Sequence, residues 1–366
     1  MFLGKNLKNL RLLFTVFALA MTVILSSASI TNAQTPMPTR LHDFVGDNRT
    51  DWTTLRFTDG VPIRWKVLQN PAPAAPGAAF KRDFDYGLTG VDPDNGDAIT
   101  VGDYVGDSKS DPTVWRDTNG TFYVGNFPTG TGGITLNRAV PFGNGATDVA
   151  GVQGDYDGDG KDDYAVVRVS GGNLIWYILS SGTNTARAVT FGSTATFPTG
   201  EDPPAAVFPG ADFNGDGRDE LVLLIRNDEG TVVTYFIGDA NTGAGVITRS
   251  FGNFNTDYSV APDDYTGDGR ADFVAVRQTG QGPTAIWYIG DSQNAAVTGT
   301  SFGISGFGAA SDLPVRGDFD GDGRHDICAY RRSNQTFYYI SSQNGSIQAQ
   351  KHGDAGDFPL GSFGLY

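Results

Sequence analysis

A nine-residue acidic motif recurs along this chain at nearly even intervals. Its clearest copy is Asp155-Tyr156-Asp157-Gly158-Asp159-Gly160-Lys161-Asp162-Asp163, and it returns at Asp212–Glu220, Asp264–Asp272 and Asp318–Asp326. Two worn copies lie upstream, at Asp43–Asp51 and Asp103–Asp111. The first aspartates are 60, 52, 57, 52 and 54 residues apart. A period of about 50 residues belongs to architectures in which one unit cannot bury its own apolar face, so neighbours must stack.

The rest of the unit repeats too. A short apolar segment runs from each motif to an arginine: Arg56, Arg116, Arg168, Arg226, Arg277 and Arg331. An aromatic segment follows, as at Leu174–Leu179, Val233–Ile237, Ala285–Ile289 and Thr336–Ile340. The unit closes on a ring and a glycine, as at Phe142-Gly143, Phe191-Gly192, Phe251-Gly252, Phe302-Gly303 and His352-Gly353. Segments this short, rich in Val, Ile, Tyr, Trp and Phe and bounded by Gly, Asn, Asp and Ser, read as strands. Four per unit predict an all-β chain: a β-propeller of six four-stranded blades, or seven if the long first unit hides a degenerate one. In Trp176-Tyr177 and Trp287-Tyr288 one ring is expected between blades and the other on the opposite face. Pro38–Asp43 reads as the first strand of unit one. Pro359–Tyr366 reads as the first strand of a further unit, placed to latch the ring. Gln69–Ala79 reads as an inserted loop by composition, and Asp92–Asp97 as a turn rather than a second ion site.

Composition agrees. Of the 41 acidic residues only Glu201, Glu220 and Glu229 are glutamate. Aspartate serves turns, caps and hard-cation sites, whereas glutamate serves helices. Glycine supplies 50 of 366 residues, about twice the usual share of roughly 7%. The formal charge of −15 disfavours a nucleic-acid partner. A single cysteine, Cys328, excludes an internal disulfide framework and reads as a buried, inert thiol.

Residues 1–33 read as a secretory signal. Lys5, Lys8 and Arg11 precede the uncharged run Leu12–Leu25, and Thr31-Asn32-Ala33 is a small-residue cleavage site. The run is short of the roughly 20 residues that a membrane helix needs, and no other stretch suits a span. Cleavage after Ala33 would carry the formal charge from −15 to −18. Residues 34–366 are then one secreted propeller domain, outside the cell or in its envelope, the periplasm included.

The motif has the chemistry of a calcium loop. Calcium takes about six to eight oxygen ligands, many of them carboxylates, on a flexible loop. In the third copy Asp155, Asp157 and Asp159 alternate along the chain, Gly158 and Gly160 allow tight turns, the Lys161 carbonyl can point inward, and Asp163 can bind through both oxygens. The same positions are Asp212, Asn214, Asp216, Arg218 and Glu220 in the fourth copy. They are Asp264, Thr266, Asp268, Arg270 and Asp272 in the fifth, and Asp318, Asp320, Asp322, Arg324 and Asp326 in the sixth. Lys161 and the three arginines enter through their carbonyls. Loops 43–51 and 103–111 carry Val45 and Val105 at the third position and are expected to be weak or empty, leaving about four Ca2+ sites. One such loop alone could be a glycine-rich hairpin turn; four at near-constant spacing argue for ions. A basic residue at position seven (Arg49, Lys109, Lys161, Arg218, Arg270, Arg324) is expected to face solvent. The six strand-terminal arginines are expected to pair with loop carboxylates or cap carbonyls rather than form a basic ring.

With these elements together, the chain from Pro38 to Tyr366 resembles the FG-GAP/VCBS family of calcium-binding propeller repeats. The resemblance rests on the acidic loop, the strand ending in arginine, the Trp-Tyr strand and the Phe-Gly ending. It implies structural calcium in the four intact loops. The family includes integrin-like adhesion heads, lectins and domains attached to extracellular enzymes, so it does not choose a function.

The expected function is a non-catalytic binding or adhesion module for a glycan or a cell-surface protein, monomeric, with calcium as a structural staple. The contact loops would be Phe127–Gly133, Thr199–Pro204 and Asn253–Tyr258, with Phe127, Phe197, Phe254 and Tyr258 as candidate sugar-stacking rings. No His-Glu-x-x-His helix is present, and His42, His325 and His352 form no catalytic pattern. The alternative is a polysaccharide lyase or hydrolase on a propeller scaffold; a purely structural assembly protein is a third reading. Arg316-Gly317-Asp318 spells an integrin-binding tripeptide, but Asp318 is claimed by its loop.

Overall fold

The computed structural model describes residues 41–70, 80–89, 96–128, 130, 132–196, 205–226, 231–253, 255–278, 285–293, 304–305, 308 and 311–362. The expected leader, most of the 69–79 insertion and residues 92–95 lie outside these. The chain divides into two units, Met1–Met37 and Pro38–Tyr366.

The second unit is a β-propeller of six four-stranded antiparallel blades. Blade one holds β1 (Trp52–Arg56), β2 (Pro62–Leu68) and β3 (Lys81–Leu88), and blade two β4 (Ala98–Ile99), β5 (Thr113–Arg116), β6 (Thr121–Asn126) and β7 (Thr135–Pro141). Blade three holds β8 (Asp148–Val149), β9 (Tyr164–Ser170), β10 (Asn173–Leu179) and β11 (Ala186–Ser193). Blade four holds β12 (Ala205–Ala211), β13 (Glu220–Arg226), β14 (Val232–Gly238) and β15 (Gly245–Asn253). Blade five holds β16 (Asp257–Asp263), β17 (Asp272–Gln278), β18 (Ala285–Gly290) and β19 (Ile304–Ser305). Blade six holds β20 (Leu313–Val315), β21 (Ile327–Arg331), β22 (Thr336–Ile340) and β23 (Ile347–Lys351).

The last strand, β24 (Phe358–Pro359), completes blade one by pairing with Thr54 and Leu55 of β1. The expected latch is therefore present, and the count is six. Two boundaries differ from expectation. Leu41–His42 form a turn, not a strand, because β24 already fills the first-strand place beside β1. β24 itself spans only Phe358–Pro359, and a short 3-10 turn at Leu360–Ser362 follows it.

The core is a ring of six apolar clusters, each shared by two adjacent blades. Leu174 and Trp176 of blade three pack with Leu221 and Leu223 of blade four; Trp52 of blade one packs with Cys328 and Tyr330 of blade six. Each blade thus covers its neighbour's face, and the closed ring leaves no terminal blade uncovered. Trp65, Trp176 and Trp287 lie fully buried between blades, and the Trp176 indole donates to the Phe191 carbonyl at 3.0 Å. The second ring of each pair, such as Tyr177 or Tyr288, takes a guanidinium on its face (Arg168 at 4.7 Å, Arg277 at 4.8 Å).

Candidate metal centre

Five of the acidic loops join the first strand of a blade to its second, and loop 43–51 leads into β1, the second strand of blade one, so all six sit at one end of the propeller. They share one backbone conformation. The first aspartate accepts amides from positions four and six: Asp155 from Gly158 and Gly160, Asp212 from Gly215 and Gly217, Asp264 from Gly267 and Gly269, Asp318 from Gly321 and Gly323. The worn loops do the same, with Asp43 taking Gly46 and Asn48 and Asp103 taking Gly106 and Ser108. Asn48 and Ser108 adopt positive φ, 62° and 65°, where the intact loops have glycine. The turn is therefore encoded by the first aspartate and the position-four glycine, not by the full carboxylate set.

The ninth residue folds back on the loop. Asp272 accepts the amides of Tyr265 and Thr266, Asp326 those of Phe319 and Asp320, and Glu220 that of Phe213. The next hairpin adds donors: Ser181 N–H to Asp163, Ser342 N–H to Asp326, and the Ser180 and Ser341 hydroxyls to Asp157 and Asp320. Those serines carry no sequence signature beyond being turn residues.

Carboxylate oxygens converge at two loops. Asp155, Asp157 and Asp159 bring ligand atoms within 4.8 Å of one another, as do the buried Asp318, Asp320 and Asp326. The membership differs from expectation in detail. Asp163 stands outside the first group, and Asp322 outside the second because it is held by Arg324 at 2.6 Å and by the Ser342 hydroxyl.

Loops three and five fit a cation by a separate sign. Asp157 Oδ1 and Asp163 Oδ2, and likewise Thr266 Oγ1 and Asp272 Oδ1, are buried without a hydrogen-bond partner. A buried oxygen left unpaired costs roughly 1–3 kcal/mol, more if charged, and a hard divalent ion is the partner such oxygens suit. Burial pushes Asp163, Asp318 and Asp326 up to about 7 and Asp272 to about 8. Loop four differs, because Asn214 donates to Glu220 and the two satisfy each other. In loop one Asp51 is satisfied by the amides of Phe44 and Asn70.

The loops are tied into a circle. The amide at position eight of each donates to the carbonyl of the first aspartate of the preceding loop. These bonds are Ser110 to Asp43, Asp162 to Asp103, Asp219 to Asp155, Ala271 to Asp212, His325 to Asp264, and Thr50 back to Asp318, all 2.7–2.9 Å. The position-seven cation follows the same route: Arg218 keeps the solvent exposure expected of it, whereas the other five are half-buried. A Cβ at Gly158 would meet Arg218 Cγ at 2.9 Å, one at Gly267 would run into Arg324 Cδ, and one at Gly321 would meet Arg49 Cγ at 3.0 Å. Each long side chain lies over its neighbour's glycine. The aromatic at position two (Phe44, Tyr104, Tyr156, Phe213, Tyr265, Phe319) is buried between blades in every copy. Its recurrence in the sequence is the signal that could have placed it there.

A second set of aspartates holds the strand-terminal arginines at the other end of the blades. Arg116 pairs with Asp97, Arg168 with Asp148, Arg277 with Asp257, Arg331 with Asp312 and Arg56 with Asp357. The pairing with metal-loop carboxylates is thereby corrected, since those lie at the opposite end of the strand; the Arg226 side chain is outside the described residues. The same carboxylates accept the amide after the closing glycine, Asn144 to Asp148 and Asn253 to Asp257. An aspartate four or five residues past that glycine is the signal that sequence reading missed. It also shows that Gly308, with φ +84° and Asp312 beside it, takes the part expected of Gly303, which is outside the described residues.

A family model for the FG-GAP-like repeat matches three overlapping stretches, residues 155–223, 212–275 and 264–329. The chain is an FG-GAP-type propeller-repeat protein. None of the curated proteins compared matches it. Among solved structures it is similar to the Dos1 propeller (12% identity, 84% of this chain and 75% of that one, TM-score 0.39). It is also similar to a putative 6-phosphogluconolactonase from Bacteroides uniformis (12%, 82% and 80%, 0.39) and to the exotype rhamnogalacturonan lyase YesX (12%, 82% and 64%, 0.31). Similarity this loose carries no functional argument. The three FG-GAP matches cover the loops at 155, 212, 264 and 318, and the structure extends the unit to six.

The other residues singled out in the sequence lie outside the metal-ligand sets. Arg316 and Asp318 are 7% and 1% exposed, so the Arg-Gly-Asp tripeptide is not displayed. His42, His325 and His352 are buried, and burial holds all three below the usual histidine value. Cys328 is buried, and its thiol is pushed up. The expected contact loops do not share one face. Residues 127–133 join β6 to β7 at the metal-loop end, whereas 253–258 join β15 to β16 at the other. Phe127 stacks on Phe44 at 5.2 Å. Phe197, Phe254, residues 199–204 and the Tyr258 side chain lie outside the described residues.

Proposed function

We propose that this protein is a secreted binding module in which calcium ions staple the acidic loops of a propeller, and that its partner is a glycan or a cell-surface protein. The observation carrying the metal half is the set of buried, partnerless oxygens at positions three and nine of loops three and five. Asp155, Asp157, Asp159 and Asp163 would hold one ion, and Asp318, Asp320 and Asp326 another. Loops four and five, with Asn214 and Thr266, offer weaker sets, and loops one and two are expected to stay empty. The ion would supply charge compensation and tie each loop to its hairpin. Among the described residues no helix is long and apolar enough to cross a membrane.

A non-catalytic role is supported by the buried state of the histidines and the cysteine. Two measurements test the reading. Elemental analysis of protein dialysed against calcium should find about four ions per chain, and none after chelation. A glycan array and a cell-surface binding assay should show saturable binding that chelation weakens; cleavage of a polysaccharide by the purified protein would replace this reading with an enzymatic one.

A further inference from the structure

A polar cluster lies outside the metal ligands, where the starts of loops one, five and six come together. Arg316 is 7% exposed, its Nε has no hydrogen-bond partner, and no carboxylate lies within ion-pair distance of it among the described residues. Tyr265, also 7% exposed, has a buried hydroxyl with no partner. His325 is 1% exposed and its Nδ1 is likewise unpartnered. The Tyr265 and His325 rings meet edge to face at 5.4 Å. Arg316 stands within electrostatic reach of Tyr265, His325 and His42.

The Asp263 carboxylate acts on Arg316 through its charge, but from beyond ion-pair distance. One of its oxygens accepts the Asp264 amide at 2.9 Å, and the other lies 3.3 Å from His325 Nε2. A guanidinium keeps its charge at any accessible pH and cannot escape burial by deprotonating. A buried guanidinium whose N–H groups meet no acceptor, and whose one charge partner stays beyond ion-pair distance, favours an anion at those donors. A water would satisfy the donors but not the charge. The feature belongs to this blade alone, since the other units carry Leu41, Val101, Gln153, Gly210 and Pro262 where Arg316 stands.

We propose that Arg316 and Tyr265, beside the His325 ring, form a binding site for a small monovalent anion of halide size. The single guanidinium supplies one charge, and Asp263 close by disfavours a dianion. The Arg316 N–H groups and the Tyr265 hydroxyl donate to the ion.

Bromide is the probe. Crystals of the intact protein in calcium gluconate and sodium bromide should show a bromine anomalous peak within about 3.5 Å of the Arg316 guanidinium and Tyr265 Oη. In solution, exchanging gluconate for bromide at constant ionic strength and calcium should raise Tm by about 2–4 °C. Arg316→Met should abolish the rise. Tyr265→Phe, which removes one oxygen and keeps the packing, should reduce it. Water at the site with no anomalous peak would overturn the proposal. So would a peak without any bromide-dependent Tm, which would mean an adventitious ion only.

Discussion

Position four of the acidic loop is glycine in all six copies, while position six is Asn48 and Ser108 in two of them. Both positions need positive φ, +77° at Gly158 and +83° at Gly160, but only Gly158 lies beneath the Arg218 side chain of the next loop; nothing approaches a Cβ at Gly160. Gly160→Ala should therefore cost about 1 kcal/mol, the left-handed penalty alone. Gly158→Ala should cost about 2 kcal/mol, and adding Arg218→Ala should recover the excess. Urea unfolding in saturating calcium measures all three, and equal costs for the two alanines would refute the contact. A second residue-scale test concerns Asp148. Burial works against its charge, but Arg168, Thr147 and the Asn144 amide outweigh burial and hold the carboxyl below its usual value. A carboxyl depressed by folding stabilises above its unfolded pKa of about 3.9, and that share is lost as pH falls through the folded value. Arg168→Gln should lower stability by about 1–3 kcal/mol at pH 7, and the gap from wild type should close below about pH 4. A gap unchanged down to pH 3 would count against the pair as its source.

The loops act as elements because each is a preformed turn whose backbone does not depend on its full carboxylate set. That has a constructive consequence. Loop one already holds its glycine, its positive-φ Asn48 and its three acids Asp43, Asp47 and Asp51, and lacks only an oxygen at position three. Val45→Asp should add about one calcium ion per chain by elemental analysis. Unchanged stoichiometry would show that the ties of Gln69 to Asp47 and Asn70 to Asp51 block the site. Removing calcium tests the same element in the other direction. At about 1 mM free ion and affinities of about 0.1–1 mM, each site contributes roughly 0.4–1.4 kcal/mol. Four sites correspond to a Tm drop of about 2–8 °C in chelator for a chain this long. A melt indifferent to chelator in demonstrably metal-free protein would remove calcium from the account.

At the scale of the whole molecule, stability depends on closing a ring whose first and last blades are far apart in the chain. β24 adds only two residues to blade one, but Leu360 beyond it is 3% exposed and enters the core with Leu55 and Trp65. His352 bonds to the Lys66 carbonyl at 3.0 Å, and the Lys66 ammonium reaches Asp354 and Asp357. Leu360→Ala should cost about 2–4 kcal/mol by loss of apolar burial and cavity formation. Ile347→Ala, at a side chain 67% exposed on β23, should cost under about 0.5 kcal/mol. Calorimetry of both variants checks the contrast; equal melts would mean that the latch carries none of the closure.

Strand content, the loop turn and its oxygen chemistry could all be read from the residues, because each is settled within a stretch shorter than one unit; the repeat count left six or seven blades. A first aspartate reaches amides three to five residues away, and alternating apolar residues declare a strand wherever it packs. Other features join atoms that the chain separates widely. The position-seven cations lie over glycines one unit back, and Phe358–Pro359 displaces Leu41–Asp43 beside β1. Those choices depend on how neighbouring blades are turned and on which end of a strand a side chain reaches. Only the closed stack of blades sets these, so local propensity had no means of announcing them.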